Sequence, residues 1–265
     1  MPSLVHPKEQ AYFVISLLVS ISAYIGVIAL AMTSIESVAV LLVYGGLGLM
    51  LVFIAKAFFI GHVRGNGIRV SPIQLPMVFE SAQRMSEKMG LHATPAVFVL
   101  QSGGMINAFA TRFLGRSFVI LYSDVVELAI SKGQAELDFI ICHELAHLHR
   151  KHLMWRTVLL PANIIPLLGA AYSRACEYTC DRYGTHYVPA GAVGAMLVLA
   201  AGKHLYPHVN AHAFAQQSAT ETGLWVWYAE KCASHPHLTK RTAEVVSFLA
   251  GTNQNTAAYS ATQGS

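Results

Sequence analysis

His143-Glu144-Leu145-Ala146-His147 stands near the end of a run, residues 134–152, in which Ala135, Phe139, Cys142 and Ala146 can line one side of a long helix. Residues four apart on a helix point the same way, so the two imidazoles can grip one ion while Glu144, between them, faces the same space. A zinc ion held there lowers the pKa of a water molecule toward about 7, and a neighbouring carboxylate can take its proton as the oxygen attacks a carbonyl. Chance placement of 13 histidines and 11 glutamates in 265 residues gives roughly 0.03 such patterns, so the motif is informative. It predicts one Zn2+ per chain, with His143 and His147 as ligands and Glu144 as the base in a hydrolysis.

Two imidazoles do not complete such a site. The third ligand is expected from a separate helix, and Glu177 is the candidate, within Ser173-Arg174-Ala175-Cys176-Glu177-Tyr178-Thr179-Cys180-Asp181. Asp181, one turn further on, is placed to accept a hydrogen bond from the outer nitrogen of a ligating histidine and so fix its tautomer. Arg174 is expected to pair with Glu177 or Asp181 as salt-bridge support. Without the motif, Glu177 and Asp181 would read as a solvated acidic face; with it, the metal site is preferred.

Around this centre the chain reads as α+β and mainly helical. Pro72 and Pro76 introduce a helix over about 75–89 that Gly90 stops. Short apolar, β-rich runs at 96–100 and 117–122, with 107–111 between them, predict a small antiparallel sheet. Ser123 and Asp124 then cap a short helix over 125–130. Further helices are expected at 171–187, 192–205 and 239–250. From Gly251 the sequence turns polar and aperiodic, which predicts disorder over 253–265.

The composition, 54% hydrophobic and 12% charged, is too apolar for an ordinary soluble enzyme. Residues 11–32 run without a charge, and residues 38–60 carry only Lys56 near their end. Each is long enough to cross a hydrocarbon core of about 30 Å. Together they predict a transmembrane hairpin over residues 1–62, ahead of a catalytic domain over 63–252. Glu36 marks the tip; Lys8, Arg64 and Arg69 mark the feet, which puts the domain on the cytoplasmic side. A third apolar stretch, 157–172, is short and holds Pro161 and Pro166; it is expected as a buried or membrane-touching helical hairpin.

Four cysteines and no CxxC pair exclude a disulfide scaffold and fit a reducing compartment. Cys176 and Cys180 could share a helix face and bind metal, although buried free thiols are the preferred reading. The net charge of +4, without a block of clustered Lys and Arg, argues against a nucleic-acid partner. His149 and His152 read as exposed helix-end histidines. Pro207 breaks the spacing of His204, His208 and His212, which are expected on the surface.

His-Glu-Leu-Ala-His followed by SRxxExxxD resembles the M48 family of membrane metalloproteases. Two further patches carry the likeness: Asn107-Ala108-Phe109-Ala110 is similar to that family's NAFA element, and Ser234-His235-Pro236 to its downstream His-Pro signature. Together the patches span about residues 90–244. The resemblance implies a gluzincin fold with ligands His143, His147 and Glu177, base Glu144, and Asp181 behind the ligands. It implies a substrate strand along Asn107, Ala108, Phe109 and Ala110, since a protease holds its substrate extended and an exposed sheet edge does so through backbone hydrogen bonds. His235 is open to two readings, stabilising an oxyanion or bonding its own loop.

The implied partners are protein or peptide substrates, membrane proteins among them, and the lipid bilayer. The family likeness adds a quality-control role in an inner membrane. An inactive scaffold that keeps zinc for structure is the alternative, and the intact Glu144 argues against it, because a structural site needs no base. A metal sensor or carrier would place ionisable groups deep in its spans, where only Lys56 qualifies.

Overall fold

Two apolar helices open the chain in the computed structural model, which describes residues 3–101, 108–130 and 133–263. Helix α1 (Pro7–Ala31) starts on His6, whose ring accepts from the Lys8 amide, with Pro7 in the first turn, where its missing N–H costs nothing. Helix α2 (Ile35–Asn66) starts on Ser34, whose hydroxyl accepts from the Ser37 amide. The 25 and 32 residues of these helices give lengths of about 38 and 48 Å. Both are long and apolar enough to cross a membrane. They turn side chains such as Leu18, Leu42 and Leu49 outward instead of burying them against protein.

The sheet contains β1 (Ile68–Arg69), β2 (Ala96–Leu100), β3 (Ala108–Phe113) and β4 (Arg116–Tyr122), in the order β1-β2-β4-β3. It is mixed, which corrects the expected antiparallel sheet. β3 and β4 form an antiparallel hairpin, but β4 then inserts beside β2 and pairs with it in parallel. The hairpin turns on Leu114 and Gly115, both with positive φ, the backbone that matches strand twist in a two-residue loop. Strand alternation gives the sheet two apolar faces. Val97, Val99, Ala110, Val119 and Leu121 face the helical core, while Phe98, Phe118 and Ile120 pack under Ile60 and Val63 of α2.

Helix α3 (Pro76–Lys88) ends before Gly90, whose φ of 67° is the left-handed conformation that glycine supplies cheaply. The helical body continues as α4 (Ser123–Ile130), α5 (Gln134–His149), α6 (His152–Val158), α7 (Leu160–Ile164), α8 (Leu168–Tyr187), α9 (Pro189–Leu205), α10 (Ala211–Thr220), α11 (Leu224–Cys232) and α12 (Leu238–Gln263). α5 is its axis: Leu137 and every residue from Phe139 to Ala146 are buried, as expected of a helix covered on all sides. α8 comes close to it at Gly184, where an added Cβ would stand 2.7 Å from the Phe139 ring.

One expectation is corrected here. The helix expected over 134–152 breaks after His149, because Lys151 adopts a left-handed conformation (φ 58°) and α6 restarts at His152 in a new direction. α12 runs to Gln263. The apolar stretch 157–172 becomes the end of α6, α7 and the start of α8. It lies along α1, where Tyr24 Oη donates to the Val158 carbonyl (2.9 Å) and the Ala162 amide to Ser20 Oγ (3.3 Å).

Candidate metal centre

α5 and α8 bring the two halves of the site together. His143 Nε2 lies 3.3 Å from Glu177 Oε2, and His147 Nε2 lies 3.4 Å from Glu177 Oε1. Two ligands about 2.1 Å from a tetrahedral ion stand about 3.4 Å apart, so these separations match the edges of a zinc coordination sphere. Glu144 is buried beside them, and all four residues line one cleft of about 620 Å³, a size suited to a ligand or peptide side chains. The Cys180 thiol also comes within 4.8 Å of both imidazoles. Burial pushes that thiol well above its ordinary pKa, which keeps it protonated, and its sulfur sits beside His152 at 3.7 Å. Glu177 is therefore the better third ligand.

The electrostatics favour a cation. Burial works against a charged Glu177, yet His143, His147, His235 and Arg241 hold its carboxyl well below the usual range. Burial likewise favours a neutral His143, and Asp181 and Glu177 outweigh it, raising the imidazole to about 10. Asp181 Oδ1 is 3.0 Å from His143 Nδ1, close enough for charge attraction, although the N–H does not aim at it for a hydrogen bond.

Arg174 does not pair with Glu177 or Asp181, which corrects that expectation. Its Nη1 donates to the carbonyls of Glu230, Lys231 and Ala233 at 2.9, 2.7 and 2.7 Å. These are orphan acceptors at the C-terminal end of α11, where a cation is favoured. Arg174 thereby pins the start of the Ser234-His235-Pro236 segment. The arginine at the carboxylates is Arg241 of α12: its Nε and Nη2 donate to Asp181 at 2.8 and 2.7 Å, and its Nη1 lies 3.4 Å from Glu177. Nothing local in the sequence distinguishes Arg241 from a solvated helix arginine, but its burial does.

His235 Nδ1 reaches Glu177 Oε2 at 3.0 Å while most of its side chain remains exposed, so it stands at the mouth of the site. Ala108, Phe109 and Ala110 line the same cleft on β3, the edge strand in the order above; Asn107 lies outside the described residues. His152, expected on the surface, is 5% exposed. Its Nδ1 is 3.1 Å from His147 Nδ1, a position created by the break at Lys151. His149 is exposed beside Tyr183, and His204, His208 and His212 are exposed as expected.

Residues 72–163, which contain the HExxH segment and end before Glu177, match the sequence profile described as Peptidase family M48. A curated relative, the Plastoglobule-localized metallopeptidase 48, chloroplastic, of Arabidopsis thaliana, is 27% identical over 208 residues, 68% of this chain. Over residues 72–163 the chain is similar to peptidase family M48. The match covers 59% of the length of that relative. No solved structure matches the chain significantly. One likeness is thus to a peptidase family and the other to a metallopeptidase.

Proposed function

We propose that the chain is a membrane-anchored, zinc-dependent endopeptidase, with His143, His147 and Glu177 holding the ion and Glu144 acting as base. The observation that carries this reading is the convergence of two imidazoles and a carboxylate at 3.3 and 3.4 Å, beside a buried glutamate in an open cleft. When bound, the ion supplies Lewis acidity, which acidifies a water molecule and polarises the scissile carbonyl. Glu144 accepts the proton that the attacking water loses and returns it to the departing amine. His235, at the cleft mouth, donates to the oxygen that gathers negative charge. A peptide lies extended against the β3 edge at Phe109 and Ala110, which fixes its carbonyl relative to Glu144. Arg241 and Asp181 hold Glu177 and His143 in place from behind.

The anchor sets the level of this chemistry. Ser20 and Tyr24, about 20 and 26 Å along α1 from Pro7, contact Ala162 and Val158. With α1 across a bilayer whose core is about 30 Å thick, α7 lies at membrane depth, as a re-entrant element with Leu160, Ile164 and Ile165 turned outward. Glu9 and the metal centre beside it lie near the foot of α1. The cleft runs between these levels, from His143 to Asn163 and Gly169. We therefore assign as substrates protein segments presented at the membrane surface, and orient the feet at Lys8, Arg64 and Arg69 toward the cytoplasm. A role in membrane-protein quality control follows from such substrates.

The test is zinc stoichiometry measured alongside cleavage of casein by the detergent-purified chain, for wild type, Glu144→Gln and Glu177→Ala. Glu144→Gln is expected to keep one zinc and lose turnover, and Glu177→Ala to retain zinc poorly. Equal metal content and equal activity in all three proteins reject the reading.

A further inference from the structure

The outward nitrogens of the two motif histidines are held in different ways. His143 Nδ1 faces the carboxylate of Asp181 at 3.0 Å, the kind of partner that a ligating histidine ordinarily takes. His147 Nδ1 meets another imidazole instead, His152 Nδ1 at 3.1 Å. His152 Nε2 in turn lies 3.3 Å from Glu9 Oε1, to which Arg150 Nη2 also donates at 2.9 Å. Glu9 is 3% exposed and His152 5%. Glu9 belongs to the first turn of α1, and that turn is fixed to α8: the His6 amide donates to Thr179 Oγ1 at 3.0 Å, and the His6 ring stacks on Tyr178.

We propose that Glu9 and His152 form a hydrogen-bonded relay that positions His147 for the metal, so that the first membrane helix contributes a positioning residue to the centre. The proposal rests on the metal site described above but not on its catalytic use.

Proton placement supports the relay. With the Nε2 lone pair of His147 directed at the ion, its one N–H is at Nδ1 and donates to the lone pair on His152 Nδ1. The proton of His152 is then at Nε2, where it donates to Glu9 Oε1. Each of these two imidazole N–H groups then has an acceptor. Each link fixes the tautomer of the next, and the last link fixes the ring angle of the ligand. The same geometry argues against a second metal among Glu9, His152 and Cys176, although the three lie within 4.8 Å of one another. Arg150 already neutralises Glu9, and burial pushes the Cys176 thiol well above its ordinary pKa.

The experiment uses the full chain in detergent and measures zinc affinity by chelator competition, with the visible spectrum of the cobalt-substituted protein as a second readout. Glu9→Gln and His152→Ala are each expected to weaken zinc binding by about 10- to 100-fold. The double variant should be no weaker than the worse single variant, because both act through one chain of bonds. The cobalt spectrum of Glu9→Gln should shift, since a neutral amide oxygen holds the His152 N–H less strongly than a carboxylate does. Ser20→Ala, which loosens α1 against α7 at a distance from the relay, should bind zinc as wild type does.

Wild-type affinity with a wild-type cobalt spectrum in Glu9→Gln overturns the proposal. Losses that add in the double variant also overturn it, as does a second equivalent of zinc that only the Glu9 variant loses. Glu9→Gln keeps the side-chain shape and carries the test if His152→Ala fails to fold. Because these readouts are metal affinities, they fail independently of casein cleavage by the wild type.

Discussion

Replacing Arg241 by methionine removes a guanidinium that spans Asp181 and Glu177 but keeps most of the side-chain volume. Arg241 is buried, holds Asp181 through two bonds of 2.8 and 2.7 Å, and approaches Glu177 at 3.4 Å. Removing one partner of such a buried pair leaves an uncompensated charge and costs about 3–5 kcal/mol. At about 2–4 °C per kcal/mol for a domain of this size, the zinc-free variant should melt roughly 6–20 °C below wild type. A bound divalent ion restores positive charge to the same carboxylates, so the deficit should be smaller with zinc than without it. Arg241→Lys should recover only part, because an ammonium does not reproduce the fork. Thermal unfolding of the detergent-solubilised proteins, with and without zinc, measures both differences. A loss below about 1 kcal/mol, or an equal loss in both metal states, would refute the view that Arg241 balances the site electrostatically.

Gly184→Val should destabilise the protein by about 1–3 kcal/mol and weaken zinc retention, because a Cβ there meets Phe139 at 2.7 Å and forces α8, which carries Glu177, away from α5; unchanged melting and metal content would contradict this. Thiol labelling of the native chain at pH 7 should give one fast site, exposed Cys232. Burial lifts Cys142 to about 12 and also raises Cys176 and Cys180 above the ordinary thiol range, so the count should reach four only after unfolding. The zinc-free protein should lose stability in alkali. The His143 pKa is raised from 6.5 to about 10, so its contribution is full below pH 6.5 and disappears as pH rises through about 10. Melting temperatures between pH 6 and pH 10 should therefore fall more steeply without zinc than with it, and His143→Gln should remove the difference.

What could be read from the sequence was local. The 3.6-residue spacing and turn residues located α3, α4 and β2 within a residue or two, and the motif chemistry brought together four groups that the fold places in one cleft. Properties that depend on distant partners were hidden. The parallel pairing of β2 with β4 arises from where the β3 hairpin folds back, and the strand residues themselves do not encode it. The break at Lys151 has no Gly or Pro to announce it, so His152 read as a helix-end histidine. Arg174 and Arg241 differ in role because Arg174 faces the carbonyl end of α11 and Arg241 faces Asp181, and both neighbours are more than fifty residues away in sequence. α10 and α11 were not among the expected helices.

The opposite walls of the cleft are mounted on different arms of the N-terminal hairpin. Phe53 and Phe59 of α2 touch Phe113 and Phe109 of β3, while the foot of α1 is fastened through His6 to α8 and through Glu9 to α6. The two arms therefore act like the legs of a pair of calipers. If α1 and α2 cross a bilayer as proposed, a change in the angle between them, such as a thinner bilayer imposes on long helices, alters the gap in which a peptide would fit.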